Sequence, residues 1–172
     1  NAEIKAIVES RETPGFENTI VALDNSGRTL ARVKGVFYAL TEADTNDEMS
    51  ALSEKIAPVL SEHNDNIYLN QDLYKRVAAV WQQEQEGKIT LTTEQHRLLD
   101  RYYKAFIRSG AGLDAGKQNR LREINKELST LAITFSNHVL NENNAYRLVI
   151  DNEAELAGLP EWVKTGAAEE AK

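Results

Sequence analysis

Among side chains able to hold a metal or move a proton, the three histidines His63, His96 and His138 come first. A zinc-peptidase helix shows H-E-x-x-H, which sets two imidazoles one turn apart and places the glutamate to activate water. None of these histidines has a second one four residues away, and Glu62-His63 carries the dipeptide reversed. His96 does have Asp100 at i+4, and His138 has Glu142, so each pair shares one helical face. Two ligands without convergent partners make a weak site, and both pairs read as hydrogen-bonded helix-surface pairs. His138 also continues an apolar seam and reads as an interface histidine.

Other chemistries find no footing. G-x-S-x-G is absent, so no nucleophile elbow is present. Gly110-Ala111-Gly112 lacks the third glycine of a dinucleotide fingerprint and joins two helical patterns, and no phosphate loop of the Walker type occurs. The carboxylate pairs Glu153/Glu155 and Glu169/Glu170 lie in polar stretches and read as solvated faces. Tyr102, Tyr103 and Phe106 would suit a ligand groove, but at helical spacing they read as core. No catalytic, cofactor-binding or metal-binding residue is assigned within the chain.

The elements that would position these residues are helical almost throughout. Ile4, Ile7 and Val8 share a face before the break at Thr13-Pro14-Gly15. Leu23, Ser26, Leu30, Val33, Phe37 and Leu40 then step by threes and fours. That seam predicts one long helix across Asp24–Gly27, in preference to a hairpin turned at DNSG. Thr45 to Glu48 has capping-box spacing ahead of Leu52, Ile56, Val59 and His63, with a kink expected at Pro58 and loosening at Asn64–Asn66. Asn70 caps a helix carrying Leu73, Val77, Val80 and Trp81, which Gly87 closes. Thr92 to Gln95 opens the next, with Leu98, Leu99, Tyr102, Tyr103, Phe106 and Ile107. After Gly110–Gly112, Asp114 caps the cleanest pattern of all: Leu121, Ile124, Leu128, Leu131, Phe135 and His138. So short a connection favours antiparallel neighbours. Tyr146, Leu148 and Ile150 alternate with Arg147, Val149 and Asp151 as a short strand, and Pro160 starts a last helix.

Composition bounds the rest. The chain has 172 residues, 27% of them charged, a net charge of −7 and no cysteine. Its mean hydropathy is −0.50. That length suits one domain burying roughly 70% of its unfolded-chain surface. No apolar run approaches the roughly 18 residues of a membrane helix. Twenty basic against 27 acidic residues argues against nucleic acid as a partner. Without cysteine there is neither disulfide nor thiolate metal site. Asn1–Arg11 has no basic n-region and is no secretory signal. It reads as the tail of a helix without an N-cap, and the segment after Pro160 stops without a capping glycine. Both ends look cut, so the chain is expected to be a fragment.

Several stretches carry a resemblance: TPGFENTIVAL (Thr13–Leu23), TNDEMSALSEKIAPVLSEHNDNIYLN (Thr45–Asn70), RYYKAFIRSGAGL (Arg101–Leu113) and LREINKELSTLAITFSNHVLNE (Leu121–Glu142). In this order, and continued by AYRLVIDNEAELAGLPEW (Ala145–Trp162), they resemble the N-terminal helical part of bacterial peptidyl-dipeptidases, in the thimet-oligopeptidase-like family of zinc metallopeptidases. The resemblance implies a larger, mostly helical, two-lobed enzyme enclosing a channel. Such an enzyme binds zinc through H-E-x-x-H and a downstream glutamate, and releases C-terminal dipeptides from short peptides. The zinc motif is absent here, so no metal or catalytic residue carries over.

The expected fold is therefore all-α, with long antiparallel helices packed as a bundle or array and one short strand near the C-terminal end. Residues 1–144 would form a helical N-terminal region, and 145–172 the strand and helix start that lead into the missing catalytic part. The chain would be an inactive channel wall of a zinc peptidase, with zinc held elsewhere in the parent. Its partners would be the rest of that polypeptide and, for the parent, short peptides. Neither nucleic acid nor membrane is expected. The location would be cytoplasmic, or periplasmic for a parent whose signal peptide has been removed. The alternative is a free-standing helical interaction module. Apolar surface meant for the missing half should be partly exposed, favouring self-association.

Overall fold

The computed structural model describes residues 2–171. Asn1 and Lys172, where the sequence suggests cut ends, lie outside them. Ten helical segments follow one another: α1 (Ala2–Val8), a π-helical turn (Phe16–Val21), α2 (Ala22–Asn25), α3 (Arg28–Ala43), α4 (Asp47–Tyr68), α5 (Gln71–Gln85), α6 (Thr93–Arg108), α7 (Ala115–Ala145), a 3-10 turn (Glu153–Leu156) and α8 (Glu161–Glu170). No strand occurs among the described residues. The chain divides into a compact unit Asn1–Asn137 and a smaller one, His138–Lys172.

The core of the first unit joins α1, the π-helical turn, α2, α5 and α6. Ile20, Leu73, Val77, Val80, Leu99 and Phe106 are fully enclosed there, with Ile4, Ile7 and Leu23 beside them. Each large apolar side chain buried this way contributes about 1.5–3 kcal/mol. The seams expected at Leu73–Trp81 and Leu98–Ile107 supply most of it, which is why α5 and α6 pair, although Ile107 itself is 47% exposed.

Local chemistry fixes the helix ends. The Asn70 Oδ1 accepts the Asp72 and Leu73 N–H groups at 3.0 and 2.9 Å. Thr92 and Gln95 cap reciprocally: Gln95 N–H donates to Thr92 Oγ1 at 3.3 Å, and Thr92 N–H to Gln95 Oε1 at 3.0 Å. At the end of α6, Gly110 takes φ +91°, its N–H reaches the Ile107 carbonyl, and the Ala111 N–H reaches that of Phe106. This is the Schellman closure that glycine permits. The Asp114 Oδ1 then accepts the Lys117 N–H at 3.0 Å, which holds that carboxyl below its usual pKa.

Several expectations need correction. The seam from Leu23 to Leu40 is not one helix. Ser26 is extended (ψ 154°), Gly27 is left-handed (φ 70°), and the Gly27 N–H donates to Glu3 Oε2 at 2.8 Å. The chain breaks there because glycine makes the left-handed turn inexpensive and α1 supplies an acceptor. Leu23 consequently joins the core while α3 buries none of its residues. Second, α4 is capped by Asn46, whose Oδ1 accepts the Met49 N–H at 2.9 Å, and not by Thr45. That helix runs without interruption past Pro58 and through Asn64–Asn66. Third, its buried residues are Ser53, Ala57 and Asp65, whereas Leu52 and Val59 face solvent. Fourth, the stretch Tyr146–Asp151 forms no strand: Tyr146, Leu148 and Val149 are exposed. A lone strand has no ladder to complete its backbone hydrogen bonds. At the last helix, Pro160 is the N-cap, one residue earlier than expected.

Candidate functional site

The histidines are spoken for, or stand apart. His96 Nδ1 lies 2.7 Å from Glu84 Oε1 of α5, and its ring stacks on Trp81 with centroids 6.2 Å apart. Its i+4 neighbour Asp100 instead accepts from Lys104 Nζ at 2.8 Å. The pair that spacing suggested is thus replaced by a contact twelve residues back, between helices. His63 is half-buried on α4. His138 opens the second unit and is exposed, as is Glu142. Among the described residues no group of three or more His, Cys, Asp and Glu side chains stands where it would hold a metal ion.

The aromatic set is core and latch together. Trp81 and Tyr103 stack face to face at 4.6 Å with 4° between planes, and Tyr68 and Tyr74 pack on Phe106 at 5.1 and 6.1 Å. The Tyr102 hydroxyl donates to Asp24 Oδ1 at 2.8 Å, with Arg101 Nη2 3.3 Å from the same oxygen. Burial, and then the bond to Asp24, push the Tyr102 pKa up to about 12. These contacts fasten α6 to α2.

Periodicity reveals nothing of the buried polar groups, which do much of the positioning. Arg76 on α5 is only 8% exposed. Its Nη1 donates to the carbonyls of Ser10 and Glu12 at 3.1 and 3.3 Å, and its Nη2 to Asn18 Oδ1 at 3.5 Å. It thereby holds the chain leaving α1 and the Thr13–Gly15 break. Gln83 assists by donating to the Pro14 carbonyl at 2.9 Å. Gln118 donates to Gly110 and Ala111 carbonyls, and Gln71 to that of Ala111, so the tight turn before α7 leaves no orphan acceptor at Ala111. A charged residue inside an otherwise apolar seam was the available signal at Arg76. Its meaning required the fold.

Two surface features remain. An open apolar trough of about 640 Å³ follows α3 and is lined by Thr29, Arg32, Val33, Val36, Phe37 and Leu40. Val36 is 64% exposed there, and on α7 Phe135 is 70% exposed with Leu131 beside it. The second feature is a polar cleft of about 510 Å³, lined by residues of α4 and α7 and the end of α6.

No family model matches the chain. Individual proteins do. It is 40% identical to the dipeptidyl carboxypeptidase of Escherichia coli K12 over 171 residues, covering 99% of this chain and 25% of that protein. Oligopeptidase A of Salmonella typhimurium is 29% identical, again over 99% of this chain and 25% of its own length. Both of these relatives are named as peptidases. Yeast saccharolysin belongs to the same set, at 26% identity over 90% of this chain and 21% of the relative. The chain thus spans about a quarter of the length of the curated relatives it matches. Among the described residues, no helix is long and apolar enough to cross a membrane.

Proposed function

We propose that this chain is the N-terminal, channel-wall region of a zinc-dependent peptidyl-dipeptidase, a scaffold that is catalytically silent alone. The reading rests on one observation, the end-to-end match of this chain to a quarter of dipeptidyl carboxypeptidase. The unpartnered faces on α3 and α7 support it, because apolar surface of that kind calls for a covering partner. In the parent, short peptides would be the substrates, the remaining polypeptide the partner, and the cytoplasm the location.

Zinc is what the family implies, and the residues here do not fit it. His96 is committed to Glu84, and the donors on the described helices do not converge as a tetrahedral site requires. No step of hydrolysis is therefore assigned to this chain, and the metal's ligands belong to the rest of the parent.

The test is a hydrolysis assay of the isolated chain with short peptides and added zinc, alongside the polypeptide encoded by the full reading frame. Release of C-terminal dipeptides by the longer protein alone supports the proposal. Release by the 172-residue chain, or a longer protein that cuts no peptide, overturns it. A chain that ends at Lys172 in the native gene would favour the free-standing interaction module, whose partners the same apolar faces would serve.

A further inference from the structure

Helix α3 is covered on one side only. Tyr38 and Thr41 are half-buried, and none of its residues is fully enclosed. The other side carries Thr29, Val33, Val36, Leu40 and Ala43, at alternating steps of four and three residues. That is the seam period of two helices packed along each other. Val33, Val36 and Leu40 are each more than half exposed, and Arg32 stands at the edge of the trough they form.

The charges of α3 run against its own dipole. Its first half holds Arg28, Arg32 and Lys34 and no acid. Its last turn holds Glu42 and no base, and Asp44 follows. A helix is stabilised by the reverse order, with acids near the N-terminus and bases near the C-terminus. Among the described residues Arg28, Arg32 and Glu42 join no ion pair. A helix laid antiparallel on the stripe corrects both ends, setting its negative C-terminus beside Arg28 and Arg32 and its N-terminus beside Glu42. A second α3 is such a helix, because its charges are segregated in the same way.

We propose that α3 is the self-association surface of this chain, where two copies pair antiparallel about a two-fold axis at Val36. Val36 then meets its own copy, Val33 meets Leu40 of the second copy, and Thr29 meets Ala43. Arg28 and Arg32 flank the second copy's Glu42. An isologous contact of this kind closes on itself, so association through it stops at the dimer. The 16 residues of α3 span about 24 Å. Two helices of that length cover less than the roughly 800 Å² per partner of a standard interface, so the dimer is weak and concentration-dependent. The pairing concerns the 172-residue chain and is independent of the peptidase reading. In a longer parent the remaining polypeptide would compete for the same stripe.

The experiment is sedimentation equilibrium of the chain from about 10 µM to about 1 mM, the range of a weak interface. Disulfide trapping accompanies it, since without native cysteine any introduced thiol is unique. A reversible monomer–dimer equilibrium is expected. Arg32→Glu and Glu42→Arg should each raise the dissociation constant about fivefold, because each spoils two symmetry-related pairs, and the double variant should restore it to within about twofold. Val36→Cys should cross-link to a dimer under mild oxidation, whereas Thr29→Cys should cross-link only when mixed with Ala43→Cys. All of these side chains are exposed, so the variants should keep the native circular dichroism. A chain that stays monomeric at about 1 mM overturns the proposal. So do dimers that Val36→Glu leaves intact, which would place the contact on another face. Thr29→Cys cross-linking to itself would make the helices parallel, and a double variant no tighter than the single ones would remove the charge pairing; either result overturns the antiparallel pair.

Discussion

Replacing Arg76 with methionine isolates the part of the fold that hydrophobic periodicity does not describe. Methionine keeps the alkyl stem's packing and removes the guanidinium. Two donor contacts go with it, at 3.1 Å to the Ser10 carbonyl and 3.3 Å to that of Glu12. The third, at 3.5 Å to Asn18 Oδ1, is too long to count for much. Hydrogen bonds from a charged donor contribute roughly 1.5–3 kcal/mol each at best. The buried Arg76 Nε has no partner, and its removal returns part of the loss. A net destabilisation of about 2–3 kcal/mol follows. With a urea m-value of about 2 kcal/mol/M, the midpoint should fall by about 1 M or slightly more. Trp81 fluorescence reports on the core, and a Trp162→Phe background removes the other indole, which is 77% exposed. Hydrogen exchange should also show α1 losing protection before α5 and α6, because Arg76 joins the chain after α1 to α5. Arg76→Lys should recover only part of the stability, since an ammonium cannot span two carbonyls as the fork does. A midpoint shift below about 0.3 M with unchanged α1 protection would refute the reasoning.

Tyr102→Phe should cost about 1 kcal/mol, the net worth of a half-exposed hydrogen bond to a carboxylate. Because folding raises the Tyr102 pKa to about 12, its contribution is complete below pH 10 and declines as pH rises from there through 12; the variant should lose that part of the alkaline slope in pH-dependent denaturation. Gly110→Ala should destabilise by about 1–3 kcal/mol in thermal melts, since φ is +91° and an added Cβ would sit 2.8 Å from Leu121 Cδ2 and 2.9 Å from Leu113 Cδ1. Val36→Glu, on the exposed face of α3, should alter stability by no more than about 0.5 kcal/mol while reducing concentration-dependent self-association in light scattering. A wild-type chain that stays monomeric over a wide concentration range would count against that face as an association surface.

The amino-acid sequence by itself settled the helical class and most helix boundaries, because caps and closures are short-range chemistry. Asn70, the Thr92–Gln95 box, Gly87, Gly110 and Asp114 each act within a few residues of themselves. It also marked the faces of α5 and α6 that enclose Leu73, Val77, Val80, Leu99 and Phe106, although Ile107 on the same expected face is exposed. What it left to the tertiary structure is which apolar seams find a partner. The seams of α3 and α7 have the same period as that of α5, yet Val36 and Phe135 face solvent while Val77 is enclosed. Periodicity records a helix's readiness to bury one face and carries no information about what covers it. The helix break at Ser26-Gly27, the Glu84–His96 contact and the buried Arg76 and Asp65 likewise depend on residues distant in the chain. Polar burial is a relation between elements, and only folding brings those elements together.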